Sequence, residues 1–306
     1  MIIGISIASA VLLISVVIYT YYFRLAFSRK KPKLGTFSFA GSNDPEHKKR
    51  IEEGLEWFDS QKKEDIFIQS YDGLKLHARY IKSPTPSDRY IIMFHGYRSS
   101  YKDFACAFEY YSSLGFDMIV VDQRAHGQSE GKIISYGVKE RFDVVSWVEY
   151  TQKRFGGDKD IFIDGISMGA STVMMASDIV KGVKGIIADC GYTSPKEIII
   201  QVAKSMHVPK LFVYPVGLMA KIFGGFNYSY SAKQSLSKTD VPVIFIHGLA
   251  DDFVPSYMTE ENYEACSSKK TMVLVENATH GYSFLVDEKK VKKSLESFVF
   301  ESCNKE

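Results

Sequence analysis

The chain has 306 residues, of which 45% are hydrophobic and 24% are charged, a balance typical of a folded globular protein and not of a disordered one. The formal net charge of +2 produces no global field that would attract nucleic acid, so we expect no nucleic-acid partner. The four cysteines and seven histidines form no C-x-x-C or H-E-x-x-H pattern. We therefore expect reduced cysteines, no metal site and no cofactor.

The first 23 residues carry no charged side chain and are rich in aliphatic residues. A helix of about 22 residues spans roughly 33 Å, which is enough to cross a bilayer core. Basic residues follow this run instead of preceding it, which disfavours a cleaved secretory signal, and the length of the run disfavours a buried core helix. We predict a single-pass anchor in the cell membrane over residues 1–23, and the basic flank places the following domain on the cytoplasmic side.

Residues 24–60 are predicted to form a linker that ends in a polar helix. The cluster at 41–45 breaks the chain and offers Asn43 or Asp44 as a helix cap. From Glu46 onwards, apolar side chains recur at helical spacing.

Residues 61–306 show alternating strand and helix patterns. Apolar runs that predict strands lie at 66–68, 74–81, 90–94, 118–121, 161–163, 186–188, 243–246 and 271–275. One intervening helix is predicted from Val138, Phe142, Val145 and Val148, which recur at spacings of three and four residues. The last helix is predicted over the segment 287–300. This alternation predicts an α/β fold with a mostly parallel, eight-stranded sheet, in which ligands bind beyond the carboxyl ends of the strands.

A G-x-S-x-G motif, Gly165 to Gly169, lies directly between the predicted strand at 161–163 and the helix-prone segment 170–176. A strand–turn–helix elbow is the setting in which this motif presents a nucleophilic serine, because the tight turn leaves no room for side chains at the glycines. The helix N-terminus also favours a developing negative charge. We therefore predict Ser167 as a nucleophile; the alternative is a turn in which the serine only caps the helix.

A serine hydroxyl needs a base, and the base needs a group that orients it. His280 follows the last predicted strand and precedes the last helix, which makes it the candidate base. Asp251 and Asp252 follow the strand that ends at His247, and either could orient the base.

The order of serine, aspartate and histidine resembles that of the α/β-hydrolases. Residues 247–255, HGLADDFVP, are similar to the H-G-x-x-D-x-x-V-P segment of that family. This resemblance implies that Asp251 is the acid and that Asp252 lies at a variable position. His247 is then expected to have a structural role at the end of its strand.

Two further loops resemble those of the same family. His95-Gly96-Tyr97 is similar to the family's oxyanion loop, which implies that the backbone N–H groups of Tyr97 and Met168 stabilise the tetrahedral oxyanion. Residues 122–129 resemble the D-x-R-x-x-G-x-S loop, for which we expect an architectural role that includes His126.

The resemblance covers residues 66–302 and is closest to bacterial single-span hydrolases related to the Bem46-like and lysophospholipase/serine-aminopeptidase-type groups. It implies an α/β-hydrolase fold with a small lid insertion at about 192–239, between the sixth and seventh strands. The lid is rich in apolar and aromatic residues, which would suit an acyl chain, although such residues could also simply pack the lid onto the sheet.

These features predict a serine hydrolase that cleaves small-molecule or lipid-derived acyl esters through an acyl-enzyme intermediate. The same constellation would also serve a serine peptidase or amidase. A non-catalytic, membrane-tethered binding protein is the third possibility, but such a protein has no need of all three catalytic side chains.

Overall fold

A computed structural model describes residues 2–29, 44–85 and 87–304, with the backbone alone for residues 2–12, 210–212 and 214. The helices are α1 (Ile2–Phe27), α2 (Pro45–Ser60), α3 (Phe108–Ser113), α4 (Glu140–Phe155), α5 (Met168–Ala176), α6 (Pro195–Ser205), α7 (Lys210–Met219), α8 (Ala232–Leu236), α9 (Tyr257–Ala265), α10 (Ser283–Val286) and α11 (Glu288–Cys303). The strands are β1 (Lys63–Gln69), β2 (Lys75–Ile81), β3 (Arg89–Phe94), β4 (Phe116–Asp122), β5 (Asp160–Ile166), β6 (Val183–Asp189), β7 (Val243–Gly248) and β8 (Lys270–Val275).

The strands form one eight-stranded sheet in the order β1-β2-β4-β3-β5-β6-β7-β8. Strand β2 pairs antiparallel with both β1 and β4, and every other neighbouring pair is parallel. Gly73 lies in the turn between β1 and β2 with φ of +86°, a conformation that glycine adopts without steric cost. The predicted mostly parallel, eight-stranded sheet is thus confirmed.

Each face of the sheet has its own apolar core. Ile92 of β3 packs on one face with Trp147 of α4, whereas its neighbour Ile91 packs on the other face with Phe298 of α11. All four side chains are almost completely buried. Such burial on both faces explains why the central strands are continuous apolar runs in the sequence.

Helix α4 buries Val148 of the apolar pattern that predicted it but leaves Phe142 outside the core. Phe142 belongs to the apolar pattern that predicted this helix, but it is 38% exposed and its ring centroid lies 4.9 Å from that of Tyr71. Trp147 is fully buried instead. The cause is an ion pair: the Asp143 carboxylate turns inward to accept hydrogen bonds of 2.6 Å from the Arg124 guanidinium, so that Phe142 faces outward.

Two other helices follow their predicted patterns. Asp44 caps α2, since its carboxylate accepts a hydrogen bond of 2.8 Å from the N–H of Glu46. Phe58 of the same helix is buried, as the apolar spacing required. In α11, which covers all but the first residue of the predicted segment 287–300, Val291 and Leu295 are buried at helical spacing.

The N-terminal helix α1 continues beyond the predicted end of the span at Phe23. Phe23 and Phe27 are both buried, and their ring centroids lie 5.2 Å apart. Within the part of the chain that the structure describes, we find no helix with both the length and the apolar character needed to cross a membrane. The side chains of residues 1–12, about half of the predicted span 1–23, lie outside the described part.

The segment between β6 and β7 forms a helical lid near the carboxyl ends of the strands. It consists of α6, α7, a short π-helical turn at Ala220–Gly224, and α8. Helix α7 packs against α1. The lid therefore contacts the N-terminal helix.

Candidate active site

Ser167 lies in a tight turn between β5 and α5, with φ of +57° and ψ of −112°. Positive φ is strained for a residue with a side chain, and such strain is common at functional sites. The flanking glycines are sterically required. A Cβ atom on Gly165 would lie 2.2 Å from the carbonyl carbon of Gly169, and one on Gly169 would lie 1.7 Å from the carbonyl oxygen of Phe94.

The structure brings Ser167, His280 and Asp251 together. The Ser167 Oγ lies 2.9 Å from His280 Nε2, and His280 Nδ1 lies 2.6 Å from Asp251 Oδ2. All three side chains are buried. Asp252, the alternative acid, is exposed to solvent. The serine follows β5, the aspartate follows β7 and the histidine follows β8, so the carboxyl ends of three strands supply the cluster.

The Asp251 carboxylate is held by four hydrogen-bond donors. Its Oδ1 accepts hydrogen bonds from the backbone N–H groups of Phe253 at 3.0 Å and Val254 at 2.8 Å. Burial alone would raise the pKa of Asp251, but the hydrogen bonds from His247 and His280 lower it to about 2. An ionised Asp251 keeps the proton of His280 on Nδ1, which leaves Nε2 to accept the Ser167 proton.

His247 is a contact of this site that the sequence analysis missed. Its Nε2 donates to the carbonyl oxygen of Val254 at 2.8 Å and lies 3.2 Å from Asp251 Oδ2. Its Nδ1 lies 2.6 Å from Thr259 Oγ1, so the hydroxyl donates to that nitrogen. In the sequence, the one hint of this contact was that His247 lies four residues before Asp251. Such spacing alone does not show that the imidazole turns back onto the carboxylate.

The two predicted oxyanion donors lie beside the nucleophile. Gly96 neighbours Ser167, since an added Cβ atom on Gly96 would lie at van der Waals distance, 3.6 Å, from the serine Cβ. Tyr97 follows Gly96 and borders the same cavity as Ser167. Met168 opens α5, where the first backbone N–H groups have no partner within the helix.

Two buried histidines support the oxyanion loop, which we define as residues 95–98. His95 Nε2 accepts a hydrogen bond of 3.2 Å from the backbone N–H of Gln123, and His126 Nε2 accepts one of 2.9 Å from the backbone N–H of Arg98. Burial lowers the pKa of both imidazoles, and that of His126 falls to about 3 because His95 lies beside it as well. Both rings therefore stay neutral at physiological pH and keep an acceptor nitrogen for these bonds.

An apolar cavity of about 140 Å³ opens onto Ser167. Its walls come from α1, the lid helices α6 and α7, and the loop that carries Phe253, whose ring centroid lies 5.1 Å from that of His280. Among the described residues that line it, Arg98 is the one charged side chain and none is acidic. The lining residues from the helices are Tyr22, Leu25, Ala26, Ile198, Ile199, Val202, Ala203, Val213 and Val216.

Cys190, Asp251 and His280 lie close enough together to share a metal ion in principle. The Cys190 Sγ lies 4.0 Å from His280 Nε2. Burial raises the pKa of the Cys190 thiol well above its usual range, which disfavours the thiolate that metals bind. Both ring nitrogens of His280 also lie within hydrogen-bonding distance of Ser167 or Asp251, so the cluster suits proton transfer better than metal binding.

Comparison with known proteins gives a consistent set of relatives. The family model described as serine aminopeptidase, S33, matches residues 85–227. The uncharacterised protein YqkD of Bacillus subtilis strain 168 is 26% identical over 250 residues, which are 80% of this chain and 82% of that protein.

The solved structures that share the fold include two esterases. The esterase Pf2001 of Pyrococcus furiosus is 24% identical with a TM-score of 0.65, and the match covers 79% of this chain and 92% of that one. Acetyl xylan esterase 1 of Thermoanaerobacterium is 17% identical with a TM-score of 0.59, and the match covers 86% of this chain and 96% of that one.

Proposed function

We propose that this chain, which belongs to the α/β-hydrolase superfamily, is a serine esterase that forms an acyl-enzyme on Ser167. One observation carries the proposal. Ser167 Oγ, both ring nitrogens of His280 and the Asp251 carboxylate form a continuous hydrogen-bonded series, with distances of 2.9 and 2.6 Å. Ser167, at one end of this series, lines an apolar cavity. That series supplies a nucleophile, a base and a group that orients the base.

Acylation begins when Ser167 Oγ attacks the ester carbonyl carbon and its proton passes to His280 Nε2. The carbonyl electron pair moves onto oxygen, and the backbone N–H groups of Tyr97 and Met168 donate to that oxyanion. When the tetrahedral intermediate collapses, the bond to the alcohol oxygen breaks. The leaving oxygen takes the proton from His280, and the acyl group stays on Ser167 as an ester.

Deacylation repeats these steps with water as the nucleophile. His280 Nε2 accepts a proton from the water, whose oxygen attacks the acyl carbon, and then returns the proton to Ser167 Oγ as the carboxylic acid leaves. Asp251 remains ionised throughout and stabilises the imidazolium that forms in each half-reaction. Its low pKa suits this role.

The cavity favours an apolar acyl group. Its walls are aliphatic and aromatic side chains from α1, α6 and α7, and a small-molecule or lipid-derived acyl chain would bury its surface against them. The Arg98 guanidinium at the cavity is engaged by the carbonyl oxygens of Leu25 and Ser28, each at 2.9 Å. It therefore belongs to the wall and is a poor receptor for a charged substrate.

Hydrolysis of p-nitrophenyl esters with acyl chains of increasing length tests the proposal. We expect turnover by the full-length wild type and loss of roughly 10³-fold or more in Ser167→Ala, which lacks the nucleophile. Turnover of no ester by the wild type, or equal turnover by Ser167→Ala, would contradict it.

A peptidase or amidase is the second candidate, because the matching family model is described as a serine aminopeptidase. An aminopeptidase needs a negative group to bind the substrate amine, and the described residues around the cavity include no acidic side chain. Aminoacyl p-nitroanilides tested beside the esters separate the two. Faster cleavage of the anilides would favour the peptidase.

We also propose that residues 1–23 anchor the chain in the cell membrane, with the catalytic domain on the cytoplasmic side. The uncharged run and the basic residues that follow it support this orientation. The chain should stay in the membrane pellet after alkaline carbonate extraction, and added protease should cleave the domain in inverted vesicles but not in intact spheroplasts. Release by carbonate would argue against an anchor.

A further inference from the structure

The last turn of α1 is built into the catalytic domain. The Phe27 ring is fully buried, with its centroid 5.6 Å from that of Tyr136 and 5.4 Å from that of Phe226. The next residue, Ser28, forms an antiparallel β-bridge with Ile133. Aromatic packing and backbone pairing thus fix this end of the helix against the loops around the active site.

The carbonyl oxygens at this helix end bind side chains of the oxyanion loop. The Tyr97 hydroxyl donates to the carbonyl oxygen of Ala26 at 2.6 Å. Arg98 Nη2 donates to the carbonyl oxygens of Leu25 and Ser28, each at 2.9 Å. The last carbonyls of a helix lack partners within it and carry a partial negative charge, so a guanidinium and a phenol suit them well.

The same loop is held from the opposite side. The backbone N–H of Arg98 donates to His126 Nε2 at 2.9 Å, and that of Gly96 donates to Asp103 Oδ2 at 2.7 Å. Arg98 has φ of +52°, which is strained for a residue with a side chain and persists only where neighbouring contacts impose it. Tyr97, whose N–H would face the oxyanion, lies between these two anchored residues.

We infer that the C-terminal end of α1 is a positioning element of the active site. By binding the side chains of Tyr97 and Arg98, it holds the backbone N–H of Tyr97 where the oxyanion develops. This inference rests on the proposed function, since an acyl transfer is what requires an oxyanion donor. Tyr97 and Arg98 are in this respect positioning residues, because their side-chain hydrogen bonds go to α1 and not to the reacting atoms.

The expected losses of kcat follow from how strongly the contribution of an oxyanion donor to catalysis depends on the donor's position. Complete loss of one donor costs about 10²–10³ in kcat, and a displacement of about 1 Å can cost about 10². We expect Arg98→Met, which loses the bonds to the carbonyl oxygens of Leu25 and Ser28, to lower kcat by roughly 10- to 100-fold. Arg98→Lys should be intermediate, since one ammonium can still donate to one of the two carbonyls.

Tyr97→Phe removes the hydroxyl, which donates to the carbonyl oxygen of Ala26 at 2.6 Å and lies 3.4 Å from that of Leu25. It keeps the ring, which stacks on Tyr136 with a centroid distance of 4.9 Å. It should lower kcat by roughly three- to tenfold. In each variant KM should change far less than kcat, because the lost interaction acts in the transition state. Binding of an alkyl boronic acid, whose tetrahedral adduct on Ser167 places an oxygen in the oxyanion site, should weaken in parallel with kcat.

Arg29→Met is the matched control. Arg29 follows the same helix end and donates two hydrogen bonds of 2.6 Å, to the carbonyl oxygens of Ser129 and Gly127, outside the oxyanion loop. Its loss should leave kcat within about twofold of the wild type. Equal losses of kcat in Arg29→Met and Arg98→Met, or an unchanged kcat in Arg98→Met, would overturn the inference.

Hydrogen exchange of the full-length protein separates this inference from the proposed function. The amides of residues 95–98 should exchange faster in Arg98→Met than in Arg29→Met, whether or not a suitable ester has been found. Equal exchange in the two variants would overturn the positioning role. Absence of ester turnover by the wild type would instead count against the proposed function, and the exchange rates alone would then decide whether α1 holds the loop.

Discussion

His247 places its Nε2 3.2 Å from Asp251 Oδ2, the same oxygen that His280 Nδ1 approaches at 2.6 Å. Two imidazoles, one at the end of β7 and one after β8, therefore share one carboxylate oxygen. Because the other oxygen accepts two backbone N–H groups, the carboxylate is fixed in both position and charge. The orientation of the proposed base depends on this arrangement.

Replacing His247 by Leu should weaken both activity and stability. Asp251 would lose one donor in a buried setting, and Thr259 would lose the acceptor of its hydroxyl. We expect the free energy of unfolding to fall by about 1–3 kcal/mol and kcat to fall by roughly tenfold. Urea denaturation and steady-state kinetics on the same preparation measure the two effects. Unchanged values of both would show that this contact is incidental.

The Asp164 carboxyl should make stability depend on pH. Burial raises its pKa to about 7, with a further contribution from Asp189 and an opposing one from the Tyr111 hydroxyl, which donates to it at 2.8 Å. An unfolded carboxyl ionises near pH 4, so between about pH 4 and pH 7 the folded state holds a proton that the unfolded state has lost. Stability contributed by this group therefore falls as pH rises through that window and is constant above it.

Asp164→Asn removes this titration and keeps an oxygen that can accept the Tyr111 hydrogen bond. It should raise the free energy of unfolding by about 1–3 kcal/mol at pH 8 and by much less at pH 5. Urea denaturation at the two pH values checks this. The same difference between variant and wild type at both pH values would show that Asp164 does not titrate in this range.

Gly169→Ala should be strongly destabilising, because the added Cβ atom would lie 1.7 Å from the carbonyl oxygen of Phe94, a backbone atom that cannot turn away. We expect a loss of about 3 kcal/mol or more, or failure to fold. Gly157→Ala is the control, since a Cβ atom there would meet nothing within 4 Å. It should change stability by no more than about 0.5 kcal/mol. Comparable losses in the two variants would contradict this reading of the elbow.

Leu25→Phe should change the preference for acyl-chain length. Leu25 lines the cavity from α1, and a larger ring there shortens the space available to an acyl chain. We expect the ratio of kcat/KM for long-chain esters to that for acetate to fall by roughly tenfold. Val17→Phe, at a site on the same helix that is 61% exposed, should leave this ratio within about twofold. An unchanged ratio in Leu25→Phe would place the acyl chain elsewhere.

Much of the fold and the candidate site could be predicted because each piece has a local signal. Ser167 was found from a motif held between a strand and a helix, and His280 from its place after a predicted strand. Position alone left Asp251 and Asp252 open, and the resemblance of residues 247–255 to a family segment selected Asp251. The structure brings all three within hydrogen-bonding distance, and their catalytic roles stay predictions. The continuous apolar strands likewise predicted a sheet that is buried on both faces.

Contacts between distant parts of the chain could not be predicted in this way. Arg98 binds the carbonyl of Leu25, 73 residues earlier, and no periodicity links an arginine in one loop to the end of a remote helix. Phe142 fits the helical spacing of apolar residues, but spacing does not show which apolar residue stays outside the core. The ion pair of Arg124 with Asp143 decides the rotation of α4, and that pair exists only once the fold brings the two together.

The most direct test measures the rate at which a p-nitrophenyl ester acylates the enzyme. The reaction is stopped by rapid quenching, and mass spectrometry then quantifies and maps the acyl adduct in the wild type, Asp251→Asn and Asp252→Asn. The acyl adduct should map to Ser167, acylation should slow by about 10⁴-fold in Asp251→Asn, and Asp252→Asn should stay within about twofold of the wild type. An adduct on another residue, or acylation of Asp251→Asn at the wild-type rate, would contradict the proposed roles of Ser167, His280 and Asp251.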